Sequence, residues 1–548
     1  MSLPTETQNL KIPEGVVITD RALSKKAKQV FTNESLATLV TLHRKFQADR
    51  KALLAERKVR QAAFDNGALP GYLDANTEAA SGNWIVNPIP EDLRRRRVEI
   101  TGPVNSPKMV INMLSRNSDG FRADMAMLDF EDSMKPSWEN VLDGVLNVAG
   151  ASKGNLSWTD PSNPEKHYEL DPTDMAGVMV RVRGLHLDEV NVSIDGEPVS
   201  GGLFDLWMSA YYMVENQIAR GKTPKFYVPK CEHYLEARWW NRVFSDIEEV
   251  LDVSPGTIKT TFLIETLTAA FQIEEILFEL RERAAGLNVG RWDKIFSDIK
   301  VLKTHRDRVM EDRATINMHK YWMDNYAKRL IKICHSRGAF AIGGMSAFTP
   351  GKTEQARAEQ TAKVVADKGY EAAIGHDGCW VSHPYFIGYA LNEFKHDNQL
   401  TRTLDDFDKY PDILPNSKGA CSMKGLRTNV RVGIGYMQGW NQDIGCVAWD
   451  GLMEDLATLE ISRAQTWQWL HHNVQLDCGT KVTKELIHQV FVEELGKILA
   501  EVDESLSGKN DALAKKLKKD FTQAAADAEA AFVKDELDDF LSMASDPA

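Results

Sequence analysis

The chain has 548 residues, 43% of them apolar and 26% charged, with a net charge of −13. These proportions suit a folded globular protein too long for one small domain, and fit one large barrel with added helical parts. The acidic balance argues against nucleic-acid and membrane-surface partners, which select a basic face, and no uncharged apolar stretch approaches the roughly 18 residues of a membrane span.

The first residues, MSLPTETQNLKIPEG, lack the basic-then-apolar order of a signal peptide. The last four, Ser-Asp-Pro-Ala, are not a peroxisomal tripeptide. Six cysteines include no CxxC pair, so reduced thiols and a cytoplasmic location are expected. Residues 20–66 carry apolar positions at helical spacing, among them Leu36, Leu39, Leu42 and Phe46. Residues 67–90, rich in Gly, Pro and Asn, form a connector. The basic run Arg94–Arg97 reads as a solvated approach to a strand, pairing with Glu91 and Asp92.

Short strand-like runs then alternate with helical patterns. The runs are Val98–Thr101, Ala126–Phe130, Val178–Val182, Lys225–Val228, Lys259–Ile264, Leu287–Gly290, Ala339–Gly343 and Gly375–Val381. Helical stretches between them include Leu206–Arg220, Ala269–Arg283 and Asp324–Arg337. Strand then helix, eight times over, predicts an α/β chain built on a (β/α)8 TIM barrel. Residues 150–174 and 190–198 break the rhythm and read as a small β insertion at about 150–200. After residue 395 the pattern turns helical, with helices at about 424–439, 452–472, 483–503 and 508–545. The expected parts are an N-terminal helical clasp (1–95), the barrel (96–395) and a C-terminal all-α domain (396–548) covering the barrel mouth.

In such barrels the chemistry sits at the C-terminal ends of the strands. Strand two ends in Asp129, Glu131 and Asp132, three acids that repel one another unless a cation lies near. Glu265 and Asp293 end strands five and six. Two hard carboxylates without His or Cys partners suit Mg2+, which keeps several waters. Strand three ends in Arg181 and Arg183, which share a face, and a fixed guanidinium there can stabilise an oxyanion; salt-bridging to Asp129 or Glu131 is the plainer alternative. Gly290 permits close approach, and the backbone N–H groups after it can hold a small carboxylate. Gly343 and Gly344 admit either a ligand or tight packing. In GLMEDLATLEISR, Asp455 borders a buried stripe of Leu452, Leu456, Leu459 and Trp467 in a helix first turn, where an acid is ordinarily a dipole-friendly residue. Cys379 near the mouth reads first as a small buried residue.

Taken together these segments resemble the malate synthases, in particular the shorter A form, over residues 40–505. The motifs are RRVEITGPV at 96–104, DFEDS at 129–133, RVRGLHL at 181–187, GTIKTTFLIETL at 256–267, GLNVGRWDKIFSDIK at 286–300, RGAFAIGGMSAF at 337–348, GHDGCWVSHP at 375–384 and GLMEDLATLEISR at 451–463. The resemblance implies Mg2+-dependent condensation of acetyl-CoA with glyoxylate and thioester hydrolysis, giving malate and CoA for the glyoxylate cycle. It implies Asp455 as the base that deprotonates the acetyl methyl, and Arg181 facing the enolate. Glu265 and Asp293 would bind Mg2+, and the amides of Gly290, Trp292 and Asp293 would hold the glyoxylate carboxylate. Glu131 and Asp132 would order the metal-bound waters. Either a monomer or a small homo-oligomer is compatible with the sequence. The alternatives are a malyl- or citramalyl-CoA lyase, which lacks the long GLMED-bearing helical part, and a catalytically silent acyl-CoA-binding protein, which would lack the base or a ligand.

Overall fold

A computed structural model describes residues 10–506 and 508–541. Eight parallel strands close into a barrel: Val98–Pro103, Met125–Asp129, Gly177–Arg181, Lys225–Val228, Lys259–Ile264, Ala284–Val289, Phe340–Ser346 and Gly378–Val381. Each pairs with its neighbour in sequence, and the eighth returns to the first with Cys379 opposite Val98 and Trp380 opposite Glu99. All eight anticipated strands are present. The side-chain period of two sorts each strand into an inner and an outer face. Met125, Met127, Met179, Tyr227, Leu263 and Phe340 form the inner core, and Ala126, Leu128, Val178 and Val180 pack outward beneath the helices.

The stretch expected as one helix over 269–283 is broken into Leu267–Ala270 and Ile273–Glu279. The segment 150–200 forms two separate hairpins on either side of the third strand. Ser157–Asp160 pairs with Asn163–Glu169, and Asp188–Ile194 pairs with Glu197–Ser200. The second hairpin gains Val16–Ile18 as an antiparallel edge, a strand that the sequence pattern did not reveal. The basic run meets expectation at Arg94, half exposed and 3.9 Å from Glu91, and differs from it beyond. Arg96 turns into the barrel, where it donates to Glu99 (2.6 Å), Thr261 (3.1 Å) and the Tyr227 hydroxyl (2.8 Å). Arg97 clasps Asp124. Asp92 accepts from Thr223 instead.

The long helix Asn33–Asp65 starts at a Thr32–Ser35 capping box and lies across the outer helices. Its buried Arg57 donates to both Glu236 oxygens (2.8 and 2.6 Å) and to the Lys230 carbonyl (2.9 Å). At the other end, helices Met423–Trp440, Leu456–His471, Lys484–Leu506 and Asp511–Phe532 share a second core. The helix expected from residue 452 begins at Leu456. Residues Leu452–Glu454 are a strand paired with Val447–Trp449 across Asp450 and Gly451, both at positive φ. The helix Leu456–His471 is also buried on nearly every face rather than along one stripe. No helix among the described residues is long and apolar enough to cross a membrane.

Candidate active site

Strand parity decides which side chains reach the barrel mouth. Asp129 follows the inward Met125 and Met127, Arg181 follows Met179, and Glu265 follows Leu263. Asp129 and Arg181 face each other across adjacent strands and form a two-pronged pair, Nε to Oδ1 at 2.7 Å and Nη2 to Oδ2 at 2.6 Å. Asp129 also accepts from the amides of Glu131 and Ser133 and from the Ser133 hydroxyl. Its oxygens are thereby saturated, which makes it the residue that fixes Arg181. The free prong, Nη1, lies 3.4 Å from Glu131. Arg183 behaves differently. It is fully buried against Asp205 and Glu189 in the outer layer and does not reach the mouth.

A cation that the sequence reading missed stands at the centre. The Lys230 ammonium sits 2.6 Å from Glu131, 2.7 Å from Asp132 and 3.2 Å from Asp293. Its own amide donates to Glu265 Oε1 at 2.8 Å. Lys230 follows Pro229 just past the fourth strand, with φ of 52°, a backbone region that L residues seldom adopt. The available signal was position: a basic residue at the C-terminal end of a barrel strand.

Five carboxylates, Asp129 included, thus meet one ammonium and one guanidinium in a buried space. Burial pushes Glu131 and Asp293 well above the usual carboxylate range, against the pull of Lys230. Burial likewise raises Glu265 to about 7. Asp132 shifts downward instead: burial opposes the shift, but Lys230 and Arg181 outweigh it. An arrangement short of positive charge has room for a further cation. The donors are hard oxygens with no thiolate or imidazole among them, which fits Mg2+. Among the described residues no three metal-binding side chains converge closely enough to form a complete cage, so water or substrate oxygens would fill the remaining positions.

Gly290 caps the helix Arg291–Val301 and touches Glu265: a Cβ there would lie 2.5 Å from Glu265 Cβ and 2.6 Å from Oε2. The helix N-terminus that follows brings Trp292 and Asp293 to the mouth, and amides in a first turn have no partner within the helix. The Gly290 amide itself donates to the Tyr326 hydroxyl at 3.2 Å. Gly343 and Gly344 serve packing. They sit against Glu371, which accepts from the Gly344 amide at 2.9 Å.

Asp455 is the N-cap of the helix Leu456–His471. It exchanges hydrogen bonds with Thr458, accepting from its amide at 3.3 Å and donating its own amide to the Thr458 hydroxyl at 3.0 Å. The next amide, Leu456, donates to the Asp132 carbonyl at 3.2 Å. The preceding hairpin is tied to the loop after the seventh strand, with the Met453 amide on the Ala347 carbonyl at 2.7 Å. These ties hold Asp455 over the acid cluster. Burial, then Asp132 and Asp293, push its carboxyl well above the ordinary value. Asp455 ends a cavity of about 400 Å³ lined by Met109, Met113, Met345 and Met453. Soft, unbranched side chains of this kind suit a flexible acyl arm. Cys379 is fully buried and does not line this cavity.

Fold and site together define a barrel enzyme with a carboxylate-rich mouth and an acid delivered from a helical C-terminal part. Three family models match the chain: malate synthase N-terminal domain at 14–78, malate synthase TIM barrel domain at 177–410, and malate synthase C-terminal at 420–546. The chain is 41% identical to malate synthase A of Escherichia coli over 95% of its own length and 96% of that protein. It is 45% identical to malate synthase of Myxococcus xanthus, covering 86% of each chain. Among solved structures, Haloferax volcanii malate synthase at 3 mM glyoxylate aligns at 13% identity with a TM-score of 0.44, over 80% of this chain and 100% of that one. The chain belongs to the malate synthase family. It is an acyltransferase that makes malate from acetyl-CoA and glyoxylate.

Proposed function

We propose that Asp455 is the base of the condensation and that Arg181 receives the negative charge it creates. The observation that carries this reading is the seating of Asp455, buried at a helix cap, over the acid cluster and at the end of the methionine-lined cavity. The acetyl group of acetyl-CoA enters along that cavity. Asp455 takes a proton from the acetyl methyl onto its carboxylate, and the thioester carbonyl becomes an enolate oxygen. An elevated pKa makes the carboxylate the stronger base for this task. Arg181, held by Asp129 and unable to lose its own proton, faces that oxygen. The enolate carbon then bonds to the aldehyde carbon of glyoxylate, and water cleaves the thioester to release malate and CoA.

Glu265 and Asp293 would hold Mg2+, with Glu131 and Asp132 orienting its waters. When bound, the metal polarises the glyoxylate aldehyde. The amides of Trp292 and Asp293 hold the glyoxylate carboxylate, joined by Gly290 if its bond to Tyr326 opens. The nucleotide end of CoA extends from the mouth toward a cavity of about 490 Å³ that carries Arg116 and Arg357 and shares Asn112 and His383 with the acyl channel. Mouth closure excludes water during the enolate step. The parts 1–95, 96–395 and 396–548 act as clasp, barrel and cover, and six free cysteines suit a cytoplasmic enzyme.

The test is CoA-thiol release from acetyl-CoA, with glyoxylate and Mg2+, in wild type and in Asp455→Asn. Asparagine also caps helices, so the fold should survive. Release is expected to need both substrates, to stop in EDTA and to fall at least about a thousandfold in the variant. A variant that keeps more than a tenth of the wild-type rate would remove Asp455 as the base.

A further inference from the structure

We propose that the recess at the amino end of the barrel, opposite the catalytic mouth, binds a small phosphate-bearing anion. This recess encloses about 620 Å³, within the range of small-ligand sites. It opens where the first four barrel strands begin. Six cationic side chains line it: Arg94, Arg95, Arg122, Arg220, Lys222 and Lys225. Four carboxylates, Glu91, Asp92, Asp124 and Asp397, share the wall. A positive excess here is notable in a chain whose net charge is −13, because the surrounding field repels anions from most of the surface.

The carboxylates are largely committed elsewhere. Asp124 clasps Arg97 at 2.9 and 3.1 Å while lying 3.3 Å from Arg95. Asp92 accepts from the Thr223 amide (2.9 Å) and hydroxyl (2.6 Å). Glu91, its side chain 94% exposed, lies 3.9 Å from Arg94, and Arg122 pairs with Asp174 outside the recess. Several cations are left under-compensated. The Arg220 guanidinium meets uncharged acceptors, the carbonyls of Ser152 (3.2 Å) and Pro172 (2.8 Å). Among the described residues neither Arg220 nor Lys222 has a carboxylate within ion-pairing distance. Lys225 is the buried one, 3% exposed. Its ammonium donates to the Thr223 carbonyl at 3.0 Å and stands 3.8 Å from Asp92. Burial pushes its pKa down to about 8. An ammonium buried with so little countercharge is costly unless an anion joins it. Guanidinium forks beside an ammonium match the oxygens of a phosphate group. The run Arg94–Arg97 gains a purpose from this: two of its members face the recess, and the other two brace the barrel.

Inorganic pyrophosphate is the probe, titrated calorimetrically into full-length protein in EDTA at fixed ionic strength, with saturating CoA occupying the catalytic mouth. One saturable site is expected. Its affinity should fall at least tenfold in Arg220→Gln/Lys222→Gln, whose melting temperature is followed alongside because Arg220 also braces the Ser152 and Pro172 carbonyls, and citrate should bind at least tenfold more weakly. Arg94→Gln/Arg95→Gln gives the same reading if the first pair folds poorly. Absence of saturation, displacement by CoA, unchanged affinity in both double variants, or equal binding of citrate would each overturn the proposal.

Discussion

The Lys230 ammonium lies 2.6 Å from Glu131 Oε1, inside a ring of carboxylates that, among the described residues, no other ammonium reaches. Removing it leaves Glu131, Asp132 and Asp293 facing one another without their nearest cation. Breaking a buried ion cluster on one side costs about 3–5 kcal/mol. Lys230→Met is therefore expected to lose about that much stability in EDTA, and to recover part of it when Mg2+ is added. Urea denaturation with and without the metal checks this. Equal midpoints for variant and wild type in EDTA would mean the ammonium is not the counter-charge.

Glu265 sets a pH dependence of known sign. Its carboxyl is raised from 4.5 to about 7, chiefly by burial. A native pKa above the unfolded one means the folded state binds the extra proton. Its contribution is then full below about pH 4.5 and is lost as pH rises toward 7. Glu265→Gln removes that titration. In EDTA, the stability of the variant relative to wild type should rise between pH 4.5 and 7 and level off above. A relative stability that does not change with pH would show that Glu265 ionises normally.

Gly290 has no room for a methyl group against Glu265. Gly290→Ala should push that carboxylate aside and weaken Mg2+ binding by about 10–100-fold, the usual effect of disturbing a ligand's support. Quenching of the neighbouring Trp292 during a Mg2+ titration reads the affinity. Melting in EDTA should change little by comparison.

Arg57 reaches from the N-terminal helix to the Lys230 carbonyl and to Glu236. It holds Lys230 in its left-handed backbone conformation, which costs on the order of 1–3 kcal/mol to maintain. Arg57→Met should lower kcat more than it raises KM, since Arg57 acts on the mouth through the Lys230 backbone. A change confined to KM would contradict this link.

Cysteine chemistry should be confined to the surface. Cys379 is fully buried, and burial raises its thiol far above the ordinary value. Cys478 is exposed, and its hydrogen bond with Thr480 lowers its pKa. A thiol reagent on native protein should label Cys478 first and leave Cys379 untouched until unfolding.

The barrel was legible because each strand is a short apolar run bounded by polar or turn residues, and closure buries both faces. Asp129, Arg181 and Glu265 were legible because they end those runs, and Asp293 because it opens the helix that follows one. Other features depend on contacts distant in sequence. Val16–Ile18 becomes a strand only by adding to a hairpin some 175 residues away, and no local pattern encodes that pairing. Lys230 follows a proline in a polar segment, so its burial is set by acids from three other strands. The hairpin before Asp455 did leave a local trace, since Asp450-Gly451 is a favoured two-residue turn. The apolar run after it masked the trace by continuing a helical spacing.

The bond between the Trp380 indole and Glu99 joins residues 281 positions apart, and Asp455 arrives later still. A ribosome emitting this chain therefore finishes the acid cluster well before the base. For that interval the growing polypeptide can gather its carboxylates around Lys230 but has nothing to abstract a proton with. Chemical competence arrives only with the C-terminal helical part.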